Sequence, residues 1–196
     1  MLLKAQKFYK RNNIIPKEYR IYIPFILAGI AALFMPEVLR GGHNLIESLV
    51  SLKYSLKLLV VLLCVKFIFT MFSYGSGAPG GIFLPLLVIG AIIGTLYGGI
   101  LNHFFGFEKI YIQNMIILAM SAYFCAIVRA PITGCILISE MAGSFHHFSA
   151  LAIVSIIAYI IADLMKCDPI YESLLEGVLE GQDNNFKSDN QVKALI

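Results

Sequence analysis

The chain has 196 residues, of which 59% are apolar and 14% are Asp, Glu, Lys or Arg; ordinary soluble domains run at about 45–50% apolar and about 25% charged. A mean hydropathy of +0.81 leaves too little polar surface to coat a soluble fold, so the composition excludes a water-soluble enzyme or binding module and requires an integral membrane protein. The formal net charge of +3 is small, but its distribution along the chain is uneven.

Residues 1–20 hold six basic side chains (Lys4, Lys7, Lys10, Arg11, Lys17, Arg20) against Glu18. Such a cluster beside a first apolar span predicts a cytoplasmic linker, and the span that follows at once argues against a nucleic-acid partner. These residues contain no apolar run ending in a small-residue cleavage site, so no secretory signal is expected. Apolar segments then run at about 21–35, 55–73, 83–106, 112–128, 131–141 and 148–164. Crossing a bilayer takes about 20 helical residues, a length that only 55–73 and 83–106 reach or approach. An amphipathic stretch, 169–180, is shorter than a span. The polar tail 181–196 reads as disordered and cytoplasmic. Residues 21–180 thus form the membrane domain.

Short helices stopped by Gly and Pro inside a bilayer are tolerated only where protein buries them or where they line a polar cavity. Transporters built from broken helices have this pattern. The expected fold class is all-α: a polytopic membrane protein with broken and re-entrant helices.

The segment richest in chemistry is Gly75-Ser76-Gly77-Ala78-Pro79-Gly80-Gly81-Ile82-Phe83-Leu84-Pro85. Gly75, Gly77 and Gly80 spell GxGxxG, but a dinucleotide fold needs a preceding parallel strand and an acid about 20 residues later. Here an apolar helical run precedes the loop, and the first acid after it is Glu108. The arrangement instead reads as a glycine loop feeding a helix with Pro85 in its first turn, where the early N–H groups have no intrahelical acceptor. The amides of Ile82, Phe83 and Leu84 then point out of the helix end, and Gly80 and Gly81 lack the Cβ that would keep an ion away. A helix N-terminus carries roughly half a positive charge and binds anions readily. Within a membrane, fixed partial charges offset an anion's desolvation while still permitting its release. The bland alternative is that these glycines merely let two helices cross. That structural reading is the one preferred for Gly90, Gly94 and Gly98, whose four-residue spacing marks close helix packing.

Other side chains carry weaker signals. Cys64, Cys125, Cys135 and Cys167 are scattered without a CxxC pair, so neither a disulfide scaffold nor a metal site is expected. Lys66 interrupts an apolar helix and either adds positive potential or snorkels and pairs. Arg129 ends one helix and is read as a C-terminal cap. His146 and His147 lack companions for a metal set, and His43 is expected in a turn. Tyr171, one of ten tyrosines, reads on its own as an interfacial belt residue.

The GSGAPGGIFLP stretch resembles the GxFxP region of the CLC chloride channels and chloride/proton antiporters. The resemblance continues in order through Gly41-Gly42-His43-Asn44-Leu45-Ile46, Val128-Arg129-Ala130-Pro131-Ile132-Thr133-Gly134, Ser139-Glu140-Met141 and Asp168-Pro169-Ile170-Tyr171, over roughly residues 21–180. It implies one inverted-repeat half of a CLC-type fold, the second. It also implies that amides at Ile82 and Phe83 bind a central chloride and that the Tyr171 hydroxyl, at the start of the last membrane helix, binds the same ion. Further implications are a homodimer through 131–141 and 148–164, with Glu140 a structural acid near that interface. The resemblance places the GSGIP-type serine and the GREGP-type gating glutamate in an N-terminal half that this sequence does not contain.

The expected function is therefore chloride transport as the C-terminal half of a channel or antiporter, with chloride as the transported ligand, no cofactor and no catalysis. Ile82, Phe83, Leu84 and Tyr171 are the expected anion-binding residues, and Gly80, Gly81 and Pro85 shape the loop. The alternative is a non-conducting, truncated or accessory half that needs a partner N-terminal half. An intramembrane hydrolase using Ser76 and a histidine is a third reading, weakened because Tyr74 stands where a rhomboid-type GxSG motif has glycine.

Overall fold

The computed structural model describes residues 22–39, 42–51, 54–76, 81–175 and 179. The expected linker 1–20 and tail 181–196 lie outside the described residues, as does Gly80. The helices are α1 (Tyr22–Phe34), α2 (Pro36–Leu39), α3 (His43–Val50), α4 (Leu56–Gly75), α5 (Phe83–Phe105), α6 (Lys109–Val128), α7 (Pro131–Met141) and α8 (Phe148–Leu164). A further helical segment, α9, covers 170–175. No strand occurs among the described residues.

The ends of these helices follow from local chemistry. Ser55, extended at φ −75° and ψ 153°, starts α4 by accepting from the Leu58 N–H at 3.4 Å, a normal N-cap. Pro131 opens α7, where its missing N–H costs nothing. Gly106 closes α5 at φ 67°, its N–H donating to the Asn102 carbonyl at 3.0 Å. His43 is the first residue of α3 rather than part of a turn, because Gly42 at φ 86° makes the turn itself.

Three helices are long and apolar enough to cross a membrane: Leu56–Tyr74, Phe83–Phe105 and Ile110–Val128. The third corrects the expectation from sequence. The helix begins at Lys109, right after extended Glu108, so Ile110 and Tyr111 extend the apolar run beyond 112–128.

The core is centred on α5, with Leu87, Val88, Ala91 and Ile92 fully buried, and its broadest packing partner is α6. Between lipid-embedded helices there is little hydrophobic drive, so close packing carries the association. The seam shows how: a Cβ on Gly94 would lie 2.6 Å from the Met115 carbonyl oxygen and 2.7 Å from the Ile116 Cα. One face of α5 has therefore to be glycine for the two backbones to meet.

Most buried polar groups find partners, as an apolar medium demands, although the Ser139 hydroxyl and Arg129 Nε have none among the described residues. Thr70 and Thr95 donate to carbonyls four residues back, both at 2.8 Å. Between α6 and α8 the buried hydroxyls of Ser121 and Ser155 are 2.7 Å apart, and the Cys125 thiol donates to the Ser155 carbonyl at 3.0 Å. Buried Lys66 on α4 donates its Nζ to the Val38 carbonyl at 2.6 Å, tying α4 to α2.

Candidate functional site

The first i→i−4 rung recorded at the head of α5 is the Leu86 N–H donating to the Ile82 carbonyl at 3.2 Å. Pro85 has no N–H, so the amides of Ile82, Phe83 and Leu84 all precede that rung, and no described residue accepts from them. Ile82 is the N-cap at φ −73° and ψ −27°, and no side chain caps it. A Cβ placed on Gly81, just ahead of these amides, would meet nothing within 4 Å.

Side chains around the amides fix the helix end. Ile82 is 4% exposed and clusters with Leu86 and with Ile170 of α9, flanked by Tyr74, Tyr123, Ile127, Val128 and Leu174. The Phe83 ring meets Phe124 of α6 edge-on, with centroids 5.4 Å apart at 79°. Leu84 turns its side chain half out, beside Gly42 at the head of α3: a Cβ on that glycine would lie 3.6 Å from the Leu84 Cβ.

Tyr171 follows Ile170 directly, so the cluster that buries Ile82 also brings the phenol-bearing turn of α9 to the head of α5. The phenol is half-exposed and lies within electrostatic range of Tyr74. From sequence Tyr74 is notable only as a departure from a rhomboid-type motif, although its place just before the glycine loop is a usable signal.

Two other features of the region have simpler roles. Ser76 is buried, and its hydroxyl donates to the Ser73 carbonyl at 2.7 Å; a proton spent on a carbonyl does not make an activated nucleophile. A cavity of about 630 Å³ between α6, α8 and α9 is mainly apolar, and none of Ile82, Phe83, Leu84 or Tyr171 lines it.

Arg129 takes the expected capping position and does more besides. Its backbone is the C-cap of α6, at φ 65°, and its N–H donates to the Cys125 carbonyl at 2.9 Å. The guanidinium, however, serves another helix end. Nη1 donates to the Tyr159 carbonyl at 3.0 Å and reaches Asp163 Oδ1 at 3.4 Å, while Nη2 donates to the Cys167 carbonyl at 2.6 Å. The cation also stacks on the Tyr159 ring, 5.4 Å from its centroid. In this chain Glu140 is exposed on α7. Among the described residues no group of three His, Cys, Asp or Glu is placed to hold a metal.

Comparisons with known proteins bear on the family and the fold. A family profile described as voltage gated chloride channel matches residues 1–163. The H(+)/Cl(-) exchange transporter ClcA of Vibrio cholerae serotype O1 (strain M66-2) is 38% identical over 154 residues, which are 79% of this chain and 33% of that protein. ClcA of Yersinia pestis bv. Antiqua (strain Angola) is 34% identical over 157 residues, 80% of this chain and 33% of that protein. The chain therefore spans about a third of the length of the curated relatives it matches. The crystal structure of a slow cyanobacterial Cl-/H+ antiporter superposes with a TM-score of 0.79 at 28% identity, covering 93% of this chain and 43% of that one.

Proposed function

The chain belongs to the voltage-gated chloride channel family, and on that premise we propose that it forms the C-terminal half of a chloride pathway. The amides of Ile82, Phe83 and Leu84 face the ion from the positive end of α5. The Tyr171 hydroxyl donates to the ion from the first turn of α9. Gly80 and Gly81 keep the approach clear, and Pro85 sets the helix start. The remaining ion contacts come from an N-terminal half, in keeping with the chain's spanning about a third of the length of its relatives. Because those relatives are H(+)/Cl(-) exchangers, exchange is favoured over passive conduction.

The observation that carries this reading is the shared cluster of Ile82, Leu86 and Ile170. It draws together two helix starts that lie 88 positions apart in sequence, one with amides that no described residue accepts from and the other with a phenol. Nothing in the packing of either helix alone requires that meeting. The subunit contact is assigned to α7 and α8, whose exposed Ile132, Ile136, Ile153, Ile157 and Ile160 supply an apolar face. The two chain ends are assigned to the cytoplasm from the basic cluster at 1–20.

The test is chloride titration calorimetry on the complete transporter. A hydrogen bond to a charged partner contributes about 1.5–3 kcal/mol, so Tyr171→Phe is expected to weaken chloride about tenfold or more. Unchanged affinity would refute the assignment of the phenol.

A further inference from the structure

Two non-glycine residues among those described adopt positive φ: Arg129 at 65° and Lys166 at 50°. L-residues rarely sit there unless surrounding structure holds them, and such positions concentrate at functional sites. They belong to a single construction. Lys166 is the left-handed residue that ends α8, with its N–H on the Asp163 carbonyl at 2.9 Å and the Cys167 N–H on the Ala162 carbonyl at 3.3 Å, the paired bonds of a Schellman motif. Beyond this motif the chain has only Asp168 and Pro169 before Ile170 and Tyr171. The Cys167 carbonyl, the last acceptor before that short link, is the one taken by Arg129 Nη2.

The other end of the tether is equally well fixed. Arg129 follows Val128, and Val128, Ile127 and Tyr123 of α6 pack against the cluster formed by Ile82, Leu86 and Ile170. The guanidinium is shielded, its side chain 9% exposed, whereas Asp163 is 71% exposed. Two carbonyls and one aromatic face, rather than the exposed carboxylate, therefore dominate its contacts.

We infer that Arg129 is a positioning residue for the anion site: its guanidinium clamps the α8–α9 turn to the end of α6 and so holds the Tyr171 phenol opposite the α5 amides. The inference rests on the chloride reading above. Arg129 acts through Tyr171 and does not touch the ion. A lysine keeps the charge but presents a single ammonium on a flexible stem, so it cannot span both carbonyls as the planar fork does.

The experiment is a double-mutant cycle on chloride affinity in the complete transporter, with melting temperature recorded for each variant. Arg129→Lys is expected to weaken chloride about fivefold alone, and less than about twofold further in a Tyr171→Phe background, as coupled neighbours behave. Asp163→Ala, which leaves the carbonyl clamp intact, should remain within about twofold of wild type. Should Arg129→Lys not fold, Arg129→Gln retains one amide donor in the same shielded volume and enters the same cycle.

Equal losses in both backgrounds would overturn the inference, because Arg129 would then act independently of Tyr171. So would unchanged affinity in Arg129→Lys alongside a weakened Tyr171→Phe, which leaves the chloride reading standing. An inert Tyr171→Phe would remove both.

Discussion

Replacing Gly94 with alanine tests whether the α5–α6 seam is a backbone contact. The added Cβ would lie 2.6 Å from the Met115 carbonyl oxygen, 2.7 Å from the Ile116 Cα and 2.9 Å from the Ala119 Cβ. The closest of these falls about 0.8 Å short of ordinary van der Waals separation. Two of the three obstructing atoms are main chain and cannot rotate away, so the helices must part. Overpacking typically costs about 1–3 kcal/mol, and rigid obstruction puts this case near about 3. Intrinsic helix propensity returns about 1 kcal/mol for Gly→Ala, leaving roughly 2 kcal/mol of destabilisation and a fall in Tm of about 4–8 °C. The assay is fluorescence-detected size exclusion of the tagged, detergent-solubilised transporter after graded heating. Gly29→Ala on α1 is the internal control, since its Cβ would meet nothing within 4 Å and only the propensity gain applies. If Gly94→Ala melts together with or above Gly29→Ala, the seam is not held by backbone contact.

Ser121→Ala should lower stability by about 1 kcal/mol by stranding the Ser155 hydroxyl, 2.7 Å away in the intact protein. Adding Ser155→Ala should cost less than a second equal increment in the same melting assay. Lys66→Ala should leave chloride affinity within about twofold, because the ammonium is committed to the Val38 carbonyl. The same variant should melt earlier, since that buried carbonyl loses its donor; calorimetry and melting on one preparation check both.

Most helix positions could be read from sequence because apolar runs bounded by Gly, Pro and Ser are local signals. Pro131 and Ser55 fix the starts of α7 and α4, and Gly106 fixes the end of α5. The glycine spacing at 90, 94 and 98 likewise announced a close contact before its partner was known. Extended Glu108 was harder to foresee, and α6 is longer than its apolar core suggested. That the amides at 82–84 precede the first rung of α5 among the described residues follows from a proline's place in a first turn, which is again local. The partner of each long polar side chain was not legible. Arg129 sits at one helix end yet donates 30 and 38 positions away, and Lys66 reaches back 28. Such choices depend on which carbonyls tertiary packing leaves within reach, and no window of sequence contains that information. The meeting of Ile82 with Ile170 is of the same kind.

The anchoring of Lys66 bears on biogenesis. A cation near the middle of a spanning helix raises the free energy of bilayer insertion by about 2.5–3.5 kcal/mol, and Lys66 stands halfway along α4. Its acceptor lies on α2, a segment synthesised before α4. As α4 leaves the translocon, the carbonyl that relieves its charge has already been made, so the nascent chain supplies the ligand before the need for it arises. Delaying or misplacing α1 and α2 would leave α4 to enter lipid with a bare ammonium, making its integration less favourable by about that amount before any ion could be carried.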